Sequence, residues 1–161
     1  MKNKRKITVV GSGYVGMSLA VLLAQYNEVV VLDVDATGVD KVNNKQSTVA
    51  DAEIEAFLAG KELSLSATLD MHAAYEGAGL VVVATPTNYD PDTNCFDTDS
   101  VDTVVNDVLQ LTSDAFVVIK STIPVGHTKS LNEKKIVPNF LIDKDLNNVD
   151  KKNLLSGLKI V

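Results

Sequence analysis

Apolar residues fall along this chain in two rhythms. Short, nearly unbroken runs recur at Ile7–Val10, Val29–Leu32, Leu80–Ala84 and Phe116–Ile119. Unbroken rather than alternating runs mark strands buried on both faces, as in a parallel sheet covered by helices. Leu65–Thr68 reads as a further short strand. Between the runs, apolar residues return at three- and four-residue intervals, the period of a helix with one buried side. Val15, Leu19, Leu22 and Leu23 set a helix over Val15–Tyr26, and Val101, Val104, Val105 and Val108 stripe another over Ser100–Leu111. Asp35–Asn43 and Asp51–Leu58 are shorter candidates, the second with Ile54, Phe57 and Leu58 on one side. Asp70 caps a helix running to Glu76. Strand and helix alternate, which predicts an α/β fold: a doubly wound, mostly parallel sheet in three layers, α/β/α.

The pattern breaks in three places. Thr85–Asp97 is a long polar loop after the Leu80–Ala84 run, which Pro86 stops. Loops of that length inside a compact domain are usually functional. Lys120–Gly126 follows the Phe116–Ile119 run in the same way, and in open α/β sheets ligands sit at the carboxyl ends of the strands. Beyond about Thr128 the rhythm decays. Leu131–Glu133 would finish a helix, and Ile136–Ile142 would be a strand whose Pro138 suits only an edge. Asp143–Asn153 has no sustained periodicity and is expected to be loop-like. The expected division is a domain over residues 1–133 and a tail over 134–161.

The first strand runs straight into Gly11-Ser-Gly13-Tyr-Val-Gly16, and the second ends on Asp33, seventeen residues beyond Gly16. A lone G-x-G-x-x-G is a weak signal, but here it joins a strand to an amphipathic helix with an acid at a fitting distance. Gly11 permits the tight turn, Gly13 lets backbone approach a pyrophosphate, and Gly16 lets helix and strand pack closely. The helix's first amides have no partner within the helix, and the positive end of its dipole favours phosphate. The Asp33 carboxylate accepts from a ribose 2′-hydroxyl and repels a 2′-phosphate, so the cofactor is expected to be NAD rather than NADP. This context makes the sheet one of Rossmann type and an incidental glycine turn the weaker reading.

Composition narrows the picture. The 161 residues suffice for one domain with a real core, and a 45% hydrophobic, 22% charged balance is that of a globular protein. A net charge of −6 gives no basic footprint for nucleic acid. The sole cysteine, Cys95, allows no internal disulfide, suits a reducing compartment and has no basic neighbour in sequence to activate it. Lys2, Lys4, Arg5 and Lys6 ahead of an apolar stretch imitate a secretory signal, yet three glycines interrupt the stretch and no cleavage site stands out. No segment is apolar enough to span a bilayer, so a cytoplasmic location is expected, with no metal, nucleic-acid or membrane partner.

Four stretches together resemble the UDP-glucose/GDP-mannose dehydrogenase family, in particular its UDP-glucose 6-dehydrogenase branch. They are Gly11–Gly16, Val31-Leu-Asp33, Ala84-Thr-Pro-Thr-Asn-Tyr-Asp-Pro91 and Ile119-Lys-Ser-Thr-Ile-Pro-Val-Gly126. The last two are more diagnostic than the dinucleotide fingerprint. The resemblance implies that the turn Gly13–Gly16, including the backbone of Val15, holds the pyrophosphate of NAD, with Gly11 and Tyr14 also among the cofactor-binding residues, and that Asp33 takes the adenosine ribose. It implies that Thr87 contacts the cofactor from its other side. Thr122 would lie beside the nicotinamide, binding cofactor and placing a catalytic water. Read without the family, both threonine hydroxyls could simply satisfy nearby backbone groups.

Two departures from the family pattern stand out. A basic side chain often follows the ribose-binding Asp by five residues, where this chain has Gly38; Lys41 is a candidate substitute. The family's catalytic Glu motif survives only as a Glu-less echo in Val137–Leu141, and its Cys-bearing sugar motif is not found, Cys95 lying in the wrong surroundings. The expectation is therefore the NAD-binding part of such a dehydrogenase, truncated and not catalytically complete alone, taking a UDP-sugar only if the missing domain is supplied. The alternative is a stand-alone module sensing NAD(H). Homo-oligomerisation stays open, since ending at residue 161 would expose apolar surface.

Overall fold

The computed structural model describes residues 5–112, 115–135 and 140–141. In chain order the elements are β1 (Lys6–Val10), α1 (Tyr14–Leu23), β2 (Glu28–Leu32), α2 (Ala36–Asn43), α3 (Ala52–Gly60), β3 (Leu65–Thr68) and α4 (Met71–Tyr75). They continue with β4 (Leu80–Val83), β5 (Tyr89–Asp90), β6 (Cys95–Phe96), α5 (Asp99–Leu111), β7 (Phe116–Ile119), α6 (His127–Lys135) and β8 (Phe140–Leu141). Six strands form one sheet in the order β3-β2-β1-β4-β7-β8, all pairs parallel. The order reverses between β1 and β4, the switch point where open α/β sheets bind ligands.

Alternate residues of the same strands feed two cores, which is why the runs are unbroken in sequence. Ile7, Val9, Val29, Val31 and Val82 pack with α1, α2 and α3 on one face. Val10, Val30, Leu32, Val81 and Val83 pack with α4 and α5 on the other. Thr8, the single polar residue of the β1 run, is fully buried and donates its hydroxyl to the Ala74 carbonyl at 2.6 Å. Lys6 Nζ donates to the Ala73 and Glu76 carbonyls at 2.7 and 2.6 Å, so β1 satisfies the last carbonyls of α4.

Helix starts are fixed by aspartates where the sequence offers them. Asp35 accepts from the Thr37 and Gly38 amides, Asp51 from Glu53 and Ile54, and Asp70 from His72 and Ala73. Parallel register sets the strand ends level: Val10 stands opposite Leu32 on one side and Val83 on the other, and Val83 opposite Ile119. Gly11, Asp33, Ala84 and Lys120 consequently reach one edge of the sheet together.

Three local readings are revised. The helix expected over Val15–Tyr26 stops at Leu23, where the Tyr26 and Asn27 amides fold back onto the Leu23 carbonyl. Thr85–Asp97 is not wholly loop, because β5 and β6 pair within it as an antiparallel hairpin. Asp90 binds the Asp92 amide and Thr93 hydroxyl across the turn, Asn94 takes φ +53°, and Tyr89 meets Phe96 edge-on at 5.2 Å. Of the strand read at Ile136–Ile142, Phe140–Leu141 pairs at the sheet edge. Its other residues and Asp143–Asn153 lie outside the described residues.

Candidate dinucleotide site

The level strand ends border a cleft of about 1010 Å³. Its wall takes in the turn Gly11–Val15, then Asp33 and Val34 after β2, and Ala84–Thr87 after β4; it closes on one face of α5 and on Lys120–Thr122 after β7. Gly11, Gly13, Tyr14, Val15, Asp33, Thr87 and Thr122 all line it, from four different strand ends. Gly16 does not.

The glycines divide the labour at the turn. Gly11 has φ +102°, and an added Cβ would stand 2.6 Å from the Ala84 carbonyl oxygen, so no side chain fits where the chain leaving β1 passes the end of β4. A Cβ at Gly16 would lie 1.9 Å from the Gly11 carbonyl oxygen, which places Gly16 under the turn, packing helix on strand. At Gly13 an added Cβ meets nothing within 4 Å and would project into the cleft, where the bare backbone leaves room for a ligand.

Gly13 is also the N-cap of α1, and no side chain caps that helix. No acidic residue occupies its first turn, in contrast to α3 and α5. The first α1 amides therefore stay available at the positive end of the helix dipole, beside the open cleft.

Asp33 is held by its own surroundings. Its Oδ2 accepts from the Ser12 amide at 2.7 Å and its Oδ1 from the Asp35 amide at 3.0 Å. Burial pushes its carboxyl upward, but the Ser12 hydroxyl and the Asp35, Ser12 and Val34 amides outweigh that and hold it below the ordinary value. The group is ionised at neutral pH, with lone pairs left to accept from a ligand's hydroxyls.

Two serines that sequence reasoning did not single out brace the opposite wall. Ser121 Oγ donates to the Thr85 carbonyl at 2.7 Å, and Ser100 Oγ donates to the Pro86 carbonyl at 3.0 Å while pairing with the Thr85 hydroxyl at 3.1 Å. They tie the segments carrying Thr87 and Thr122 to one another and to α5. Only their places after a strand and at a helix start hinted at this. Gly38 has a local reason: its amide completes the Asp35 cap, and an added Cβ would stand 3.2 Å from Ser12 Oγ and 3.3 Å from Asp35 Oδ2. Lys41 is exposed on α2 and is not part of the cleft wall. Cys95, on β6, is exposed and also outside that wall.

Among the described residues no group of three or more His, Cys, Asp or Glu is placed to hold a metal ion, and no helix is long and apolar enough to cross a membrane. An open glycine cradle, an uncapped helix start and an ionised aspartate at the switch point of a parallel sheet define a dinucleotide-binding α/β domain. Residues 5–150 match the UDP-glucose/GDP-mannose dehydrogenase family, NAD binding domain, and the chain belongs to that family. The match continues past residue 133, into the stretch set apart above as a tail.

UDP-glucose 6-dehydrogenase of Streptococcus pneumoniae is 49% identical over 129 residues, covering 80% of this chain and 33% of that protein. The enzyme of the same name from Campylobacter jejuni subsp. jejuni serotype O:2 is 39% identical over 142 residues, covering 87% and 36%. A UDP-glucose dehydrogenase structure from the archaeon Pyrobaculum islandicum superposes with TM-score 0.73 over 88% of this chain and 35% of that one, at 24% identity, and supports the fold. The chain spans about a third of the length of these relatives. It carries the family's NAD-binding domain, and these relatives lend nothing to the alternative of a sensing module.

Proposed function

We propose that this domain is the cofactor-binding part of a dehydrogenase acting on UDP-glucose, with NAD(H) lying across the carboxyl edge of the sheet. The observation that carries the reading is the uncapped α1 start facing a glycine that leaves the cleft open, with ionised Asp33 on the neighbouring strand end. In this reading the amides of Tyr14 and Val15 meet the pyrophosphate. Asp33 accepts from the adenosine ribose and disfavours a 2′-phosphate. Thr87 and Thr122 attend the nicotinamide end, Thr122 also orienting water there, and Ser100 and Ser121 keep the two threonine-bearing segments in register. Bound NAD supplies the hydride acceptor for oxidation of an alcohol. Placing a sugar and holding an oxidised intermediate would fall to groups outside this cleft, since the sole cysteine lies on the exposed hairpin.

Fluorescence titration with NADH tests the reading, and the chain's lack of tryptophan leaves the nucleotide's emission easy to isolate. Saturable binding is expected, with NADPH bound at least about tenfold more weakly and the gap narrowed by Asp33→Asn. With UDP-glucose and NAD, the 161-residue chain is expected to form no steady NADH. Absence of NADH binding would contradict the cofactor reading, and steady turnover would contradict the division of labour.

A further inference from the structure

Past Asp33, away from the threonines, the cleft continues as a slot between α4 and α5. Leu69, Met71 and Tyr75 wall it on one side, Val104 and Asp107 on the other. Val34, Leu69 and Met71 are large apolar side chains left exposed at its mouth. Apolar walls suit a planar base, and the Asp33 end of the cleft is where the adenosine ribose sits in the reading above, on which this inference rests.

Ser100, Thr103, Val104 and Asp107 all line the cleft. Their spacing puts them on one face of α5, with Asp107 about 10 Å along the axis from Ser100. Ser100 is tied to the loop after β4. Asp107 is therefore the cleft-lining residue of α5 furthest from that loop. Among the described residues that wall the slot it bears the only charge, and it takes part in no salt bridge among them. Burial pushes the facing Tyr75 phenol well above its ordinary value, and the nearby Asp107 charge adds to this, so Tyr75 stays neutral.

An ionised carboxylate accepts hydrogen bonds and donates none. Adenine presents a 6-amino donor at the edge remote from its ribose, whereas hypoxanthine and guanine present a carbonyl oxygen there. We propose that Asp107 is a specificity-determining residue that reads the base, accepting from the 6-amino group and rejecting 6-oxo purines. Leu69, Met71 and Val104 hold the ring; Asp107 tells which ring it is.

Isothermal titration of the full chain with NAD and with nicotinamide hypoxanthine dinucleotide, in which a carbonyl oxygen replaces the amino group and the adjacent N1 carries a hydrogen, tests the assignment. Wild type is expected to bind NAD about tenfold or more tightly than the hypoxanthine form, the scale of one hydrogen bond to a charged group. In Asp107→Asn the preference should fall to within about twofold, because an amide can face either an amine or a carbonyl. Equal binding of the two dinucleotides by wild type overturns the inference by itself, without reliance on the variant. A wild-type preference that survives intact in Asp107→Asn also overturns it. If wild type binds neither dinucleotide, the cofactor reading fails and this inference with it.

Discussion

A methyl group added at Gly13 would meet no protein atom within 4 Å, whereas one added at Gly16 would sit 1.9 Å from a backbone carbonyl oxygen. The two glycines therefore separate binding from folding. Gly13 has φ −74° and ψ −173°, which alanine adopts freely. Gly13→Ala should keep the fold, with a melting temperature close to wild type, while NADH affinity falls at least about tenfold. Gly16→Ala should cost about 3 kcal/mol or more in urea unfolding, because the obstacle is backbone. A Gly13→Ala chain that bound NADH as wild type does would refute this division. Asp33 gives a second test at the same scale. Its folded carboxyl titrates below the usual 3.8, so its contribution to stability is complete above that value and lost as pH falls through the lower folded one. Urea midpoints measured from neutral pH down to about pH 3 should fall more steeply for wild type than for Asp33→Asn. Parallel curves would show that Asp33 is not held ionised by its neighbours. Gly11, Gly13 and Asp33 were legible from sequence because each answers a backbone or charge requirement at fixed spacing. Ser100 and Ser121 were not, because their hydroxyls act across 14 to 38 residues of chain.

Among α1 to α5, only α1 lacks both a side-chain cap and first-turn acids, since the equally uncapped α5 carries Asp99 and Asp102 there. Asp35, Asp51 and Asp70 close the starts of α2, α3 and α4, while α1 begins on glycine with its amides uncapped. Aspartate caps are written in the sequence, and all three of those helices fall close to where the caps place them. The β4 and β7 runs were equally legible, since a strand buried on both faces needs unbroken apolar residues. The β5–β6 hairpin was not. Its strands are two residues each and depend on a turn stapled by Asp90 and on the Tyr89–Phe96 ring contact, neither of which leaves a periodic trace. The premature end of α1 has a similar cause. Apolar spacing runs on to Ala24, but the chain must turn there to enter β2, and the Leu23 carbonyl takes the two returning amides.

For the molecule as a whole, the sheet order β3-β2-β1-β4-β7-β8 explains why one edge carries everything of interest. Reversal at β1 and β4 opens a gap between crossover helices, and level strand ends deliver the glycine turn, Asp33, Thr87 and Thr122 to it. Net charge −6 makes the surroundings unwelcoming to an anionic dinucleotide, so recognition must be local, through oriented amides. The family match fixes the domain's kind, and the cleft geometry gives the reason its glycines and aspartate stand where they do. At 17.2 kDa the chain suits backbone NMR, which tests the central claim most directly. Titrating NAD into labelled protein should shift the amides of Gly11–Gly16 most, followed by those of 33–35, 84, 85, 87 and 120–122. The aspartate-capped start of α3, outside the cleft wall, should scarcely move. Shifts that spare Gly13–Gly16, or that gather at the start of α3 instead, would contradict the account.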